Sequence, residues 1–237
     1  RDEIAGALFV PTDESGDARA FTDALATRCT ERGAAIHMQT EITGFSKTQD
    51  RISAATTSRG EIEGDLFVVA LGVFSPILSR QLGFSLPIYP VKGYSVTVPA
   101  DNAHLLPRYG GVDEDNLLAY CPMGNRLRIT ATAEIGSYST RHKPSDFRVM
   151  LGKTRDLMPR AANFDKPDYW AGLRPMTPTG LPLIGGTRWS NLWLNTGHGH
   201  MGWTMSCGSA RILADLIAGQ PPEIPLDGMD PASTRQH

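Results

Sequence analysis

Apolar positions recur with helical spacing near both ends of the chain and with strand-like spacing between them. Phe21, Leu25 and Cys29 stand at i, i+4 and i+8, which predicts a helix from Ala18 to about Arg32, stopped by Gly33. Short strands are expected at 35–38, 41–46 and 51–57. Asp65–Leu71 is an unbroken apolar run before Gly72 and reads as a strand buried on both faces, as in a parallel sheet. Ser75-Pro76 opens a short helix to about Leu82, with Ser75 as cap and Pro76 in the first turn.

The middle of the chain has a different texture. Ile88–Val98 and Leu117–Thr132 alternate in part and are broken by Pro and Gly, the pattern of an antiparallel sheet. Pro144 to about Met158 reads as a helix with Phe147, Met150, Leu151, Leu157 and Met158 on its apolar side, and Trp170–Leu173 as a return strand. A last helix is expected to begin within two residues of Trp203 and to end near Gly219. The fold class is therefore mixed α/β (α+β). An α/β lobe takes residues 1–85 and 175–237, and a largely antiparallel β lobe takes residues 86–174.

Just before the last helix lies Asn191-Leu-Trp-Leu-Asn-Thr-Gly197-His-Gly199-His-Met-Gly202, a strand followed by G-x-G-x-x-G. The spacing is that of a dinucleotide fingerprint, but the position is wrong. Such a loop opens a βαβ unit with an acidic residue about 20 residues on, whereas here Gly219 and Pro221-Pro222 follow the helix. The loop either meets a different part of a cofactor or only shapes a turn.

Bulk properties narrow the function. The 237 residues are 41% hydrophobic and 20% charged, with net charge −2, which argues against a nucleic-acid partner. No apolar run approaches the ~20 residues of a membrane span. Cys29, Cys121 and Cys207 are far apart and read as reduced thiols, Cys207 as a buried small residue. Arg174 follows an apolar strand and precedes a Pro-rich turn, so it would either grip a carboxylate with two parallel bonds or form a structural ion pair. His198 and His200 would act on substrate or simply line a loop, and they make a poor metal site. Tyr120 would offer a phenol to a substrate or pack in the core. No metal site is expected.

Taken together, several stretches resemble the FAD-dependent D-amino acid oxidase superfamily. They are Gly6-Ala-Leu with Pro11-Thr-Asp-Glu-Ser-Gly-Asp17, Val68-Val-Ala-Leu-Gly72-Val-Phe-Ser75, Tyr89-Pro-Val-Lys-Gly-Tyr-Ser95, Gly172-Leu-Arg-Pro-Met-Thr-Pro178 and Leu194–Ser209. The resemblance is strongest to the C-terminal part of the bacterial D-amino acid dehydrogenases (small subunit). It implies a chain lacking the N-terminal FAD fingerprint, a fragment beginning at Arg1 that would not retain FAD alone. It also implies oxidative deamination of D-amino acids to 2-oxo acids and ammonia, with electrons passed to a quinone or respiratory acceptor. The implied location is cytoplasmic, with peripheral association at the inner membrane allowed.

By resemblance, Arg174 anchors the substrate carboxylate and His200 falls at a substrate-facing position; Tyr120 is the third candidate for contact with substrate, on its own chemistry. Gly72, Gly185, Gly197, His198, Gly199, Met201, Gly202, Trp203 and Thr204 line FAD, the late loop facing the flavin ring. Relatives such as glycine oxidase carry an arginine where His200 stands, and the dehydrogenases commonly carry Asp where Thr179 stands. Two alternatives remain open: an oxidase of the same superfamily acting on glycine, sarcosine or hydroxyproline, and a non-catalytic fragment without flavin.

Overall fold

The computed structural model describes residues 5–231. It divides the chain into two compact units, residues 1–34 with 92–173, and residues 35–91 with 174–237. Two of the three joins fall inside strands: β5 spans Tyr89–Pro99 and β9 spans Asp168–Met176. The sequence grouped residues 1–34 with the flanks. In the structure they pack on the middle stretch, where the Phe9 and Tyr109 rings meet at 5.1 Å.

The first unit holds α1 (Ala18–Glu31), β6 (Gly111–Asp113), β7 (Leu118–Met123), β8 (Arg126–Ile135) and α3 (Arg148–Leu157). Asp17 caps α1 by accepting from the Arg19 and Ala20 amides at 3.0 and 3.1 Å. At the other end Gly33 takes a φ of +91° as the helix stops. The apolar stripe expected on α1 buries none of its residues. The sheet runs β6-β7-β8-β5-β9, with β6, β7 and β8 antiparallel in sequence order. One face packs on α3 around Tyr94, Val96, Val98, Leu127, Ile129, Phe147 and Met150. Lys92 closes that core, donating to the Arg141 carbonyl at 2.5 Å above the Tyr94 ring.

The second unit holds two three-stranded sheets. β1 (Ile42–Thr48), β2 (Arg51–Thr57) and β3 (Gly60–Glu63) form an antiparallel meander. β4 (Phe67–Val69), β10 (Leu183–Gly186) and β11 (Leu192–Thr196) form a mixed sheet ordered β10-β11-β4, with β4 parallel to β11. Helices α2 (Ser75–Gln81) and α4 (Gly202–Ile217) complete the unit. Its core gathers Ile52, Val69, Leu82, Leu86, Ile88, Leu183, Leu192 and Leu194. Buried Asn191 ties two segments to it. Its amide accepts from Ile52 N at 2.9 Å and donates to Ile52 O at 2.8 Å and Asp65 O at 3.1 Å.

Three expectations need correction. Residues 35–38 form no strand, and Gln39 turns the chain with a φ of +53°. The 65–71 run gives a three-residue strand with one buried face, since Val69 is buried and Val68 is 46% exposed. Ser75 does not cap α2. Its hydroxyl lies 2.8 Å from that of Thr196, and Phe74 holds the cap position.

Candidate functional site

All the residues that chemistry singled out except Tyr120 lie within the second unit. β11 ends at Thr196, the chain turns through Gly197–Met201, and α4 begins at Gly202. The loop is held against the turn that follows Arg174: Gly199 N donates to Pro175 O at 3.0 Å. Gly197 and Gly199 adopt φ of +78° and +57°. A Cβ at Gly197 would come within 2.9 Å of Thr177 Cγ2, and one at Gly199 within 3.1 Å of Met176 Sδ. Glycine is thus demanded twice, by backbone conformation and by the approach of the 176–177 turn.

A row of hydroxyls fixes the loop from below. Thr196 Oγ1 donates to Gly72 O at 3.2 Å and meets Ser75 Oγ at 2.8 Å, so two hydrogen bonds tie the end of β11 to the Gly72–Phe74 turn. Ser209 Oγ donates to Met205 O at 2.8 Å and lies 2.9 Å from His198 Nε2. Its one proton is committed to the carbonyl, so His198 must donate from Nε2. Burial lowers the His198 pKa below its ordinary 6.5. The imidazole is therefore neutral at neutral pH and serves as a latch between loop and helix.

Arg174 stands on β9, half-buried, and its guanidinium makes no hydrogen bond or ion pair among the described residues. α4 starts without a side-chain cap and without an acidic residue in its first turn. Its positive end is therefore open to negative charge. Gly72 faces the Pro175 ring, and Gly185 lies on β10 near Pro231. His200, Met201, Trp203 and Thr204 are exposed at the loop and the first helical turn.

Tyr120 belongs to the first unit. It is partly buried against the α3-side core, and its hydroxyl end lies over Gly111. Cys207 is exposed on α4, contrary to expectation, because Ser209 and Leu213 mark the helix's buried side. Sequence reasoning missed Ser75, Met176, Thr177, Thr196 and Ser209. Hydroxyls that brace a loop leave no periodic signal. Among the described residues no three His, Cys, Asp or Glu side chains gather as a metal site. Likewise no helix there is long and apolar enough to cross a membrane.

Comparison with known proteins gives a family. The model of DAO, FAD dependent oxidoreductase, matches residues 1–216. D-amino acid dehydrogenase 2 of Mesorhizobium japonicum is 46% identical over 97% of this chain and 55% of its own length. D-amino acid dehydrogenase of Granulibacter bethesdensis is 47% identical over 93% of this chain and 53% of its own. The chain thus spans about half the length of the curated relatives it matches. The expected placement of that match on their C-terminal part is not carried by these shares. Glycine oxidase from Geobacillus kaustophilus superposes with a TM-score of 0.80 at 26% identity, over 90% of this chain and 57% of that one. L-proline dehydrogenase from P. horikoshii, at 19% identity and a TM-score of 0.79 over 91% of this chain and 59% of its own, shares the fold.

Proposed function

The chain belongs to the DAO family of FAD-dependent oxidoreductases, and from that premise we propose that its activity, in a protein of the relatives' full length, is oxidative deamination of D-amino acids to 2-oxo acids and ammonia. One observation carries the reading: a half-buried guanidinium, Arg174, without a hydrogen bond or ion pair among the described residues, next to Pro175, whose carbonyl holds the braced glycine loop. A cation kept partly from water calls for an anion, and an α-carboxylate matches the fork of arginine.

The residues present suit the cofactor that the family uses. Gly72, Gly197, Gly199 and the uncapped first turn of α4 would hold its electron-rich ring end. FAD, when bound, supplies the two-electron acceptor for the substrate's α-hydrogen. Arg174 binds the carboxylate and so orients Cα. Thr196, Ser75 and Ser209 keep the loop from shifting under it. His198, its Nε2 donating to Ser209, serves as a latch between loop and helix, and the substrate amine reacts uncharged. Gly185, Gly202, Met201, Trp203 and Thr204 belong to the same reading as cofactor-lining residues, and Tyr120 and His200 as substrate-facing ones. Electrons then leave to a quinone or respiratory carrier, with the enzyme in the cytoplasm, free or at the cytoplasmic face of the inner membrane.

The test is turnover of D- against L-amino acids by the flavin-loaded full-length protein, with 2-oxo acid and ammonia measured. Equal turnover of both enantiomers, or none of either, overturns the proposal. The glycine oxidase likeness supports a second reading, an oxidase of small amines. Stoichiometric hydrogen peroxide from glycine or sarcosine would decide for it.

A further inference from the structure

The sheet of the first unit ends at β9, which has β5 on one side and no strand on the other among the described residues. α3 buries Met150 and Thr154, and its neighbouring stripe carries Arg148, Leu151, Gly152 and Arg155 at i, i+3, i+4 and i+7. That stripe, Ser145 and Tyr169 of β9 border a cleft of about 480 Å³. The cleft lies wholly within the first unit, and the proposed reaction uses none of these residues. Its charged groups are donors. The Arg148 guanidinium has no hydrogen bond or ion pair among the described residues. Arg155 is steadied by a 2.9 Å ion pair to Asp165 through one amino group and by the Phe164 ring 5.6 Å away, which leaves its other N–H groups to a ligand. The Tyr169 ring is set 4.5 Å from that of buried Phe147, and its hydroxyl has no partner among the described residues. No carboxylate borders the cleft. Residues 141–160 carry six Arg and Lys against two Asp in a chain of net charge −2, so the local field is positive.

Gly152 points the same way. It lies mid-helix, and nothing stands within 4 Å of an added Cβ. Neither backbone conformation nor packing asks for glycine there, and a larger residue would favour the helix. What glycine does is keep the wall of the cleft open. We propose that this cleft binds an organic phosphate, its phosphate between Arg148 and Arg155 with the Tyr169 hydroxyl, and its body along Leu151 and the open wall at Gly152. A flat carboxylate is satisfied by one guanidinium fork, whereas a tetrahedral anion has oxygens for donors from several directions. The volume falls in the range of small-molecule sites and holds more than the bare ion. A soluble phosphate ester and a phospholipid headgroup both offer this chemistry.

The test titrates the full-length protein with glycerol 3-phosphate by calorimetry and, in a second arm, sediments it with phosphatidylcholine vesicles with and without phosphatidylglycerol. The expected result is binding in one arm or both that Arg148→Gln weakens about tenfold or more, as for hydrogen bonds to a charged group. The arm that shows it identifies a soluble or a lipid source. Arg148→Gln should keep its thermal unfolding midpoint within about 2 °C of wild type, as for a surface substitution. Gly152→Leu fills the cleft without changing charge, so it should weaken binding as much while raising the midpoint. Lys153→Gln, on the same helix but outside the cleft, should change binding less than about threefold, because a distant exposed charge is screened. No binding in either arm, an equal loss from Lys153→Gln, binding that survives Gly152→Leu, or glutarate bound as tightly as glycerol 3-phosphate overturns the proposal.

Discussion

Replacing Gly197 by alanine separates what the loop demands of itself from what a ligand demands of it. The residue sits at φ +78°, where a side chain costs roughly 1–2 kcal/mol. The new Cβ would also stand 2.9 Å from Thr177 Cγ2 and 3.6 Å from the Ile88 side chain. Overpacking of that kind adds roughly 1–3 kcal/mol. Gly197→Ala should therefore lower stability by about 2–5 kcal/mol without any cofactor present. Thr177→Ser removes the clashing methyl and keeps the hydroxyl that donates to Leu181 O at 2.8 Å. The double variant should recover the steric share and retain the conformational one. Gly208→Ala is the control: it lies inside α4 with nothing near its would-be Cβ, and should stabilise by roughly 0.5–1 kcal/mol. Urea titration followed by tryptophan fluorescence measures all four proteins. A Gly197→Ala change below about 0.5 kcal/mol, or no coupling to Thr177→Ser, would show that the 176–177 turn does not press on the loop.

Other outcomes follow from the same geometry. Arg174→Ala should cost roughly 2–5 kcal/mol in kcat/KM for D-amino acids in the full-length enzyme, and Arg174→Lys should restore only part; near wild-type kinetics with normal flavin content would move the carboxylate site elsewhere. Asn191→Asp keeps the shape but loses both donated bonds, so it should destabilise by about 2–4 kcal/mol in thermal or urea unfolding, close to Asn191→Ala. His198 has a folded pKa below 6.5, so its share of stability is full above pH 6.5 and is lost as pH falls from there through the folded value; His198→Gln should flatten the unfolding midpoint over that window.

Helix ends were legible because caps are local. Asp17 and Gly33 bracket α1, and α4 spans Gly202–Ile217, within two residues of both expected ends. The hairpin β7–β8 and the strand 51–57 were legible from alternation. The 65–71 run misled because an apolar stretch says how much surface wants burial and not how many neighbours supply it; Val68 stays largely exposed. In the site, arginine and glycines stood out by residue type. The partners that brace them did not: Thr177 meets Gly197 across 20 positions and Ser75 meets Thr196 across 121. Such pairings are set by tertiary packing, and no window of sequence contains them.

Asn191 and its bonds to Ile52 bear on the order in which the chain acquires structure as it is made. Every member of the first unit's core cluster lies between Tyr94 and Ala171, so that core is complete once one contiguous stretch has left the ribosome. The other core draws on Ile52–Ile88 and then on Leu183–Leu194. Its early half must wait, with Ile52, Leu82 and Ile88 unburied, until the segment carrying Asn191 emerges. The later-synthesised stretch thus folds first, and the waiting segment is the natural client of chaperones. Nascent chains stalled so that residue 171 has just left the ribosome and the segment carrying Asn191 is still inside it should accordingly protect residues 94–171 from protease while 35–91 are still cut.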